Sequence, residues 1–222
     1  MRPDKAQMLR DIEAEVRYTK DMIGRDALAP RVIAAMAEVS RHEFVPDRQR
    51  HAAYANGPLP IGNGQTISQP YIVALMTDLL DCGAHDQVLE IGTGSGYQAA
   101  VLSRLVAQVY SVEIVPALAE QAAKRLIRQG YDNVLTQCGD GYQGWPEHAP
   151  FDGILVTAAA PAVPPPLIAQ LKEGARLIVP VGPQYGHQEL LMLEKRPGGS
   201  VLTTNVLSVA FVPLTRAKPN SC

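Results

Sequence analysis

Acidic residues and a glycine turn stand in this chain at the spacing a nucleoside site needs. Val88-Leu-Glu-Ile-Gly-Thr-Gly-Ser-Gly-Tyr97 reads as a short buried strand, then a turn holding Gly92, Gly94 and Gly96, then the start of a helix. Backbone can approach a ligand closely only where Cβ atoms are missing, and a helix start behind such a turn favours phosphate or nucleoside groups. The spacing is G-x-G-x-G with Glu90 two residues ahead, not the G-x-G-x-x-G of dinucleotide enzymes. That difference points away from a nicotinamide cofactor and towards S-adenosylmethionine. Glu113 follows about twenty residues past the glycines, at the end of the next strand, where an acid accepts hydrogen bonds from both ribose hydroxyls. Its alternative is an exposed carboxylate favoured by the dipole of the helix starting at Pro116. Asp140, between Gly139 and Gly141, can accept from an adenine amino group or simply close an Asx turn. Ser68 sits in a polar loop just before Pro70, so its hydroxyl is either a helix cap, a reacting-site group, or both. Neither Ser68 nor Ser95 has the G-x-S-x-G frame of a serine hydrolase. The histidines at 42, 51, 85, 148 and 187 show no ligand spacing, and no metal site is expected. Tyr142 and Trp145 read as packing residues beside the Asp140 turn.

These groups need elements to carry them. Met8, Leu9, Ile12 and Val16 give an amphipathic helix from Lys5 to Ile23, and Pro30 opens a second, ended by the stretch from Arg41 to Pro46. Tyr54 to Thr66, rich in glycine and proline, reads as an ordered loop before a helix from Pro70 to Leu80. Residues 1–80 are thus a helical N-terminal region carrying a loop, part of the same domain as a body spanning 81–222. In the body, strands at Val88–Ile91, Val109–Val112, Val134–Gln137, Phe151–Val156 and Arg176–Val181 alternate with helices at Tyr97–Leu105, Pro116–Gln129 and Leu167–Leu171. Repeated βα units of this kind build a doubly wound, mostly parallel sheet with helices on both faces. Glu189–Glu194 and Val201–Phe211, joined by Pro197-Gly-Gly199, read as a C-terminal antiparallel hairpin. Ligands in such sheets sit at the carboxyl ends of strands, and Glu90, Glu113, Asp140 and Thr157 all fall there.

Composition narrows the classes. A chain of 222 residues supports a full core, and a formal charge of −2 gives no electrostatic case for nucleic acid. Cys82, Cys138 and Cys222 have neither metal spacing nor a disulfide framework and read as reduced thiols of a cytoplasmic protein. The uncharged run from Ile154 to Leu171 is broken by Pro161, Pro164, Pro165 and Pro166, which argues against a membrane span.

With these residues in place, the chain resembles the protein-L-isoaspartate O-methyltransferases, within the Rossmann-like S-adenosylmethionine methyltransferases. The resemblance runs from Phe44 to Thr215. Val88 to Gly96, Glu113 and Asp140 are its general signals. Its specific ones are Gly64-Gln-Thr-Ile-Ser-Gln-Pro70, Phe151-Asp-Gly-Ile-Leu-Val-Thr-Ala-Ala160, Leu177-Ile-Val-Pro-Val-Gly182 and Phe211-Val-Pro-Leu-Thr215. It implies that Ser68 is the active-site serine. It also implies a cofactor pocket made by Ile67, Ser68, Glu90, Gly92, Thr93, Gly94, Gly96, Glu113, Ile114, Asp140, Gly141 and Thr215. The implied reaction moves a methyl group from S-adenosylmethionine to the free α-carboxylate of an L-isoaspartyl residue, leaving S-adenosylhomocysteine. The methyl ester then cyclises unaided to a succinimide that hydrolyses partly to aspartate, a repair of aged proteins and peptides. Damaged proteins and peptides are the expected partners, with neither nucleic acid nor membrane involved, and a monomer is expected.

The chemistry suits the residues. A carboxylate with a pKa near ~4 is already ionised at neutral pH, so no catalytic base is required and the protein contributes alignment and desolvation. Three other readings remain open from sequence: a nicotinamide oxidoreductase, a non-catalytic module that binds S-adenosylmethionine or damaged chains, and a methyltransferase of the same fold acting on another carboxylate.

Overall fold

A computed structural model describes residues 4–184 and 186–216. Fifteen helices and strands are used below: α1 (Lys5–Ile23), α2 (Pro30–Glu38), β1 (Leu59–Gly62), β2 (Gln65–Ile67), α3 (Pro70–Leu80), β3 (Gln87–Ile91), α4 (Tyr97–Leu102), β4 (Gln108–Glu113), α5 (Pro116–Arg128), β5 (Val134–Cys138), β6 (Phe151–Val156), α6 (Pro165–Ala169), β7 (Leu171–Val181), β8 (Gln188–Lys195) and β9 (Val201–Val209). Helix boundaries follow local chemistry. Asp4 caps α1 by accepting the Gln7 N–H at 2.7 Å, and Gly24 ends it in the left-handed region at φ 68°. Prolines open α2, α3, α5 and α6, where the missing N–H costs nothing.

Seven strands form one sheet in the order β5-β4-β3-β6-β7-β8-β9. The first five are parallel, and β8 and β9 add antiparallel to β7 as the expected hairpin. From β3 the chain winds outward through β4 and β5, then returns to β6 on the other side of β3. The order therefore reverses between β3 and β6, and a crevice opens at their carboxyl ends. Val88 to Ile91 are all buried because helices cover both faces of this central strand. One core joins α1, α2 and α3 to the sheet, through residues from Met8 to Val206. A second core lies on the other face around Leu89, Ile91, Phe151 and Leu177.

Three expectations change. The stretch read as a loop before Ser68 contains a small hairpin, β1 with β2, separate from the main sheet. Gly62, Asn63 and Gly64 make its turn, all with positive φ. The strand read as Arg176–Val181 begins at Leu171, so α6 ends earlier than expected. Of the thiols, Cys82 is free and buried, its pKa pushed up to about 12 by burial and then by nearby Asp86 and Asp152. Cys138 is disulfide-bonded, correcting the expectation of reduced thiols, because sequence spacing does not reveal which sulfurs meet in space. Cys222 lies outside the described residues. Among the described residues no helix is long and apolar enough to cross a membrane.

Candidate active site

The crevice between β3 and β6 is shaped by a latch. Thr157, just after β6, places Oγ1 at 2.6 Å from the carbonyl oxygen of Gly92 and 3.1 Å from that of Ile91. Gly92 has φ 96°, and a Cβ there would stand 2.4 Å from Thr157 Oγ1. Only glycine combines that conformation with that approach. A Cβ at Gly141 would meet Ile91 at 2.4 Å, so the turn after β5 also closes tightly over the end of β3.

Around the latch lie three adjoining cavities that share Thr66 and Thr157. The first runs over the carboxyl ends of β3 and β4 and is lined by Gly92, Gly94, Glu113, Ile114, Gly141 and the segment Val212 to Thr215. Among the described residues its one charged side chain is Glu113. The second lies beneath the β1–β2 hairpin, between Ile67 and Ser68 on one side and Thr93, Gly94 and Tyr97 on the other. The third, about 400 Å³, opens between Pro58, Thr66, Ser68, Gln69, Ile72 and the extended chain from Ser208 to Val212. Among the described residues no lysine or arginine lines any of the three. The tail is held in place by the Ala159 backbone, which donates to Val212 O and accepts from Leu214 N, both at 2.8 Å.

The glycine turn, a carboxylate at the end of the next strand and a neutral cleft beside a serine match one enzyme family. A family model described as "Protein-L-isoaspartate(D-aspartate) O-methyltransferase (PCMT)" matches residues 20–219. The chain belongs to this family. It is 61% identical over 211 residues to "Protein-L-isoaspartate O-methyltransferase 2" of Syntrophobacter fumaroxidans, covering 95% of this chain and 85% of the relative. A solved structure named as a protein-L-isoaspartate O-methyltransferase superposes with a TM-score of 0.80 at 30% identity, covering 92% of this chain; the chain spans 65% of that structure's length. A second, a putative family member from Plasmodium falciparum solved with S-adenosyl-L-homocysteine, has a TM-score of 0.78 at 23% identity, covers 97% of this chain and 99% of its own, and shares the fold.

Against the set expected for this family, the cavities bring together Ile67, Ser68, Gly92, Thr93, Gly94, Glu113, Ile114, Gly141 and Thr215. Glu113 is nearly buried, not the exposed helix-start carboxylate of the alternative reading. One carboxylate oxygen accepts the Gly94 N–H at 2.7 Å and the other the Val115 N–H at 2.9 Å. Ser68 is not the helix cap. The cap position of α3 is Gln69, with no side-chain bond to the helix, and the Ser68 hydroxyl bonds no other described residue. It is left facing two cavities.

Three expected residues stand outside the cavity walls. Gly96 lies at the start of α4 with φ 88°, and a Cβ there would touch Leu126 of α5 at 3.3 Å, so α5 packs closely against it. Asp140 closes an Asx turn by accepting the Tyr142 N–H at 2.9 Å, and its neighbour Gly141 lines the cavity instead. Glu90 shares the face of β3 with Val88, because side chains alternate along a strand, and is fully buried behind the glycine turn. It bonds the Ser111 hydroxyl, which in turn lies 2.6 Å from Thr93 Oγ1. Thr66 and Tyr97 went unnamed as site residues. The first lies within the quoted Gly64 to Pro70 stretch, but only the hairpin turns it inward to the crevice.

Burial pushes the Glu90 carboxyl up to about 8, with the Glu113 charge adding to it and hydrogen bonds from Ser111 and the Ala99 backbone pulling back. Its other oxygen, Oε1, is buried without a hydrogen-bond partner among the described residues. Between its ordinary pKa of 4.5 and about 8 the unfolded chain has lost this proton while the native state keeps it. Stability therefore falls as pH rises through that window, by at most about 1.4 kcal/mol per pH unit. Glu90→Gln is expected to remove that component, so the variant gains on the wild type between pH 5 and pH 8 in urea unfolding. Parallel stability curves would mean that Glu90 is ionised in the native protein.

Proposed function

We infer that this chain is an S-adenosylmethionine-dependent protein-L-isoaspartate O-methyltransferase acting on damaged proteins and peptides. The carrying observation is the third cleft, which meets the first cavity at Thr66, Thr157 and Val212 and carries the Ser68 hydroxyl on its wall. The residues fit the cofactor. Gly92, Gly94 and Gly141 leave room for close backbone approach, and Glu113 offers both carboxylate oxygens where ribose hydroxyls would lie. When bound, S-adenosylmethionine supplies an activated methyl group on a positively charged sulfur.

The chain's own residues then have two tasks. Glu113 and the tail from Val212 to Thr215 hold the nucleoside end. Ser68, with Thr66, Gln69 and Thr157, surrounds the acceptor carboxylate with hydroxyl and amide groups and no fixed cation. That composition matters, since a salt bridge would stabilise the carboxylate and blunt its attack, whereas one hydroxyl orients it and leaves lone pairs free. No proton has to move, because the carboxylate is already ionised.

The extended segment from Ser208 to Val212 faces the hairpin across the cleft, which suits a peptide lying extended between them. An isoaspartyl peptide is expected to be methylated, with methanol release following as the ester cyclises. The matched aspartyl peptide is expected to be a very poor acceptor, its carboxylate lying one methylene further from the groups that orient it. Equal methylation of the pair would replace this reading with a general carboxyl methyltransferase. The formal charge of −2 gives no electrostatic reason for a nucleic-acid partner.

A further inference from the structure

Arg41 is the largest fully buried side chain of the described protein, with 0% of its surface exposed, and no carboxylate among the described residues pairs with it. Neighbouring Glu43 is turned instead to His42 and Arg50. A buried guanidinium without a counter-charge is costly, and burial pulls its pKa down to about 10, the oxygens of Tyr97 and Tyr54 partly offsetting the loss. What it holds is backbone and an aromatic face. Nε donates to the carbonyl of Ala53 at 2.8 Å and Nη2 reaches that of Gly57 at 3.4 Å. The guanidinium carbon stands 4.9 Å from the centre of the Tyr97 ring. A planar fork that can span two carbonyls and stack on a ring is a combination only arginine offers.

Both ends of this contact belong to the site. The segment from Ala53 to Gly57 leads directly into Pro58, a wall of the peptide cleft, and then into the hairpin that carries Thr66 to Ser68. Tyr97 opens α4 immediately after the glycine turn and lines the cavity beneath the hairpin. Asn56 pins the same segment a second time, donating to Glu15 at 3.1 Å and accepting the Tyr71 N–H at 3.3 Å. We propose that Arg41 is a positioning residue that sets the gap between the peptide wall and the cofactor wall by clamping the Ala53–Gly57 segment against the face of Tyr97. This rests on the methyltransferase reading above for its kinetic consequence, and on geometry alone for its effect on the hairpin.

Arg41→Lys keeps a cation but loses the fork, and it is the variant to test, with concentrations of folded protein set by S-adenosylhomocysteine titration. The kcat/KM for an isoaspartyl peptide is expected to fall roughly tenfold, mostly through KM, while affinity for S-adenosylhomocysteine changes little. Amide hydrogen exchange from Ala55 to Ile67 is expected to speed up, with β3 and β4 unchanged. Arg41→Met is expected to exceed both effects. A lysine variant of lower thermal stability, with wild-type peptide KM and wild-type exchange in the hairpin, would reduce Arg41 to a packing residue and overturn the proposal. If the wild type methylates no isoaspartyl peptide, the functional reading fails on its own, and the exchange measurement alone decides the clamp.

Discussion

Replacing Glu113 with alanine is expected to weaken S-adenosylmethionine and S-adenosylhomocysteine together, by ~10²-fold or more. The carboxylate can accept from two ribose hydroxyls, and hydrogen bonds to a charged group are worth ~1.5–3 kcal/mol each. Its geometry raises the stakes. Each oxygen already takes one backbone N–H, from Gly94 and from Val115, and keeps capacity for a second donor. The side chain is thus fixed before any ligand arrives, and it anchors the glycine turn to the start of α5. Alanine would remove the ribose acceptors and release Gly94 at once. Glutamine is expected to be nearly as damaging, since its NH2 group must face one of those N–H donors. Calorimetric titration with S-adenosylhomocysteine checks this directly, and unchanged affinity in a folded alanine variant would take Glu113 out of the site.

Ser68→Ala is expected to lower kcat on an isoaspartyl peptide by ~10²-fold, because small misplacements spoil an in-line approach. Losing a helix cap costs about 0.5–2 kcal/mol, but Gln69 holds the cap position of α3. The stability change should therefore fall below that range and leave kcat as the visible loss. No proton leaves Ser68, so the variant should be slowed and not abolished. Ser68→Thr keeps the hydroxyl while crowding the hairpin and is expected to fall between wild type and alanine. Cofactor affinity should move far less than in Glu113→Ala. Wild-type kcat in a folded Ser68→Ala enzyme would deny this serine any part in the reaction.

The two variants separate the halves of the site by its chemistry. Among the described residues Glu113 is the one charged group lining its cavity, which suits a ligand carrying a positive sulfur and a ribose. Ser68 faces a cleft lined by no charged described residue, which suits an acceptor that must stay nucleophilic. Their meeting at Thr66 and Thr157 is a product of topology: β6 returns beside β3 and brings Thr157 onto the Gly92 carbonyl.

Much of this was legible in the residues alone. Uninterrupted apolar runs and period-3.6 patterns placed most strands and helices, since a doubly wound sheet buries its strands on both faces. Gly92 and Glu113 could be singled out because one needs a backbone only glycine adopts and the other a fixed distance along a βα unit. The β1–β2 hairpin was not legible. Its strands are four and three residues long, one holds a proline, and Ile61 and Ile67 are buried only as members of a core gathered from the whole chain. Glu90 and Asp140 show the same limit. Both were rightly placed at strand ends, but only the packed structure decides that Glu90 turns into the core and that one Asp140 oxygen closes its own turn. Arg41 is the furthest case. A charged residue after a helix looks solvated in sequence, and it becomes a buried clamp only because the Ala53–Gly57 segment and Tyr97 converge on it from two parts of the chain. Sequence by itself determined the element types and the residues a nucleoside requires, because those depend on local backbone and side-chain chemistry. Which faces turn inward, and which side chains meet across the crevice, was decided by tertiary structure, because burial and contact are set by chain segments far apart in sequence.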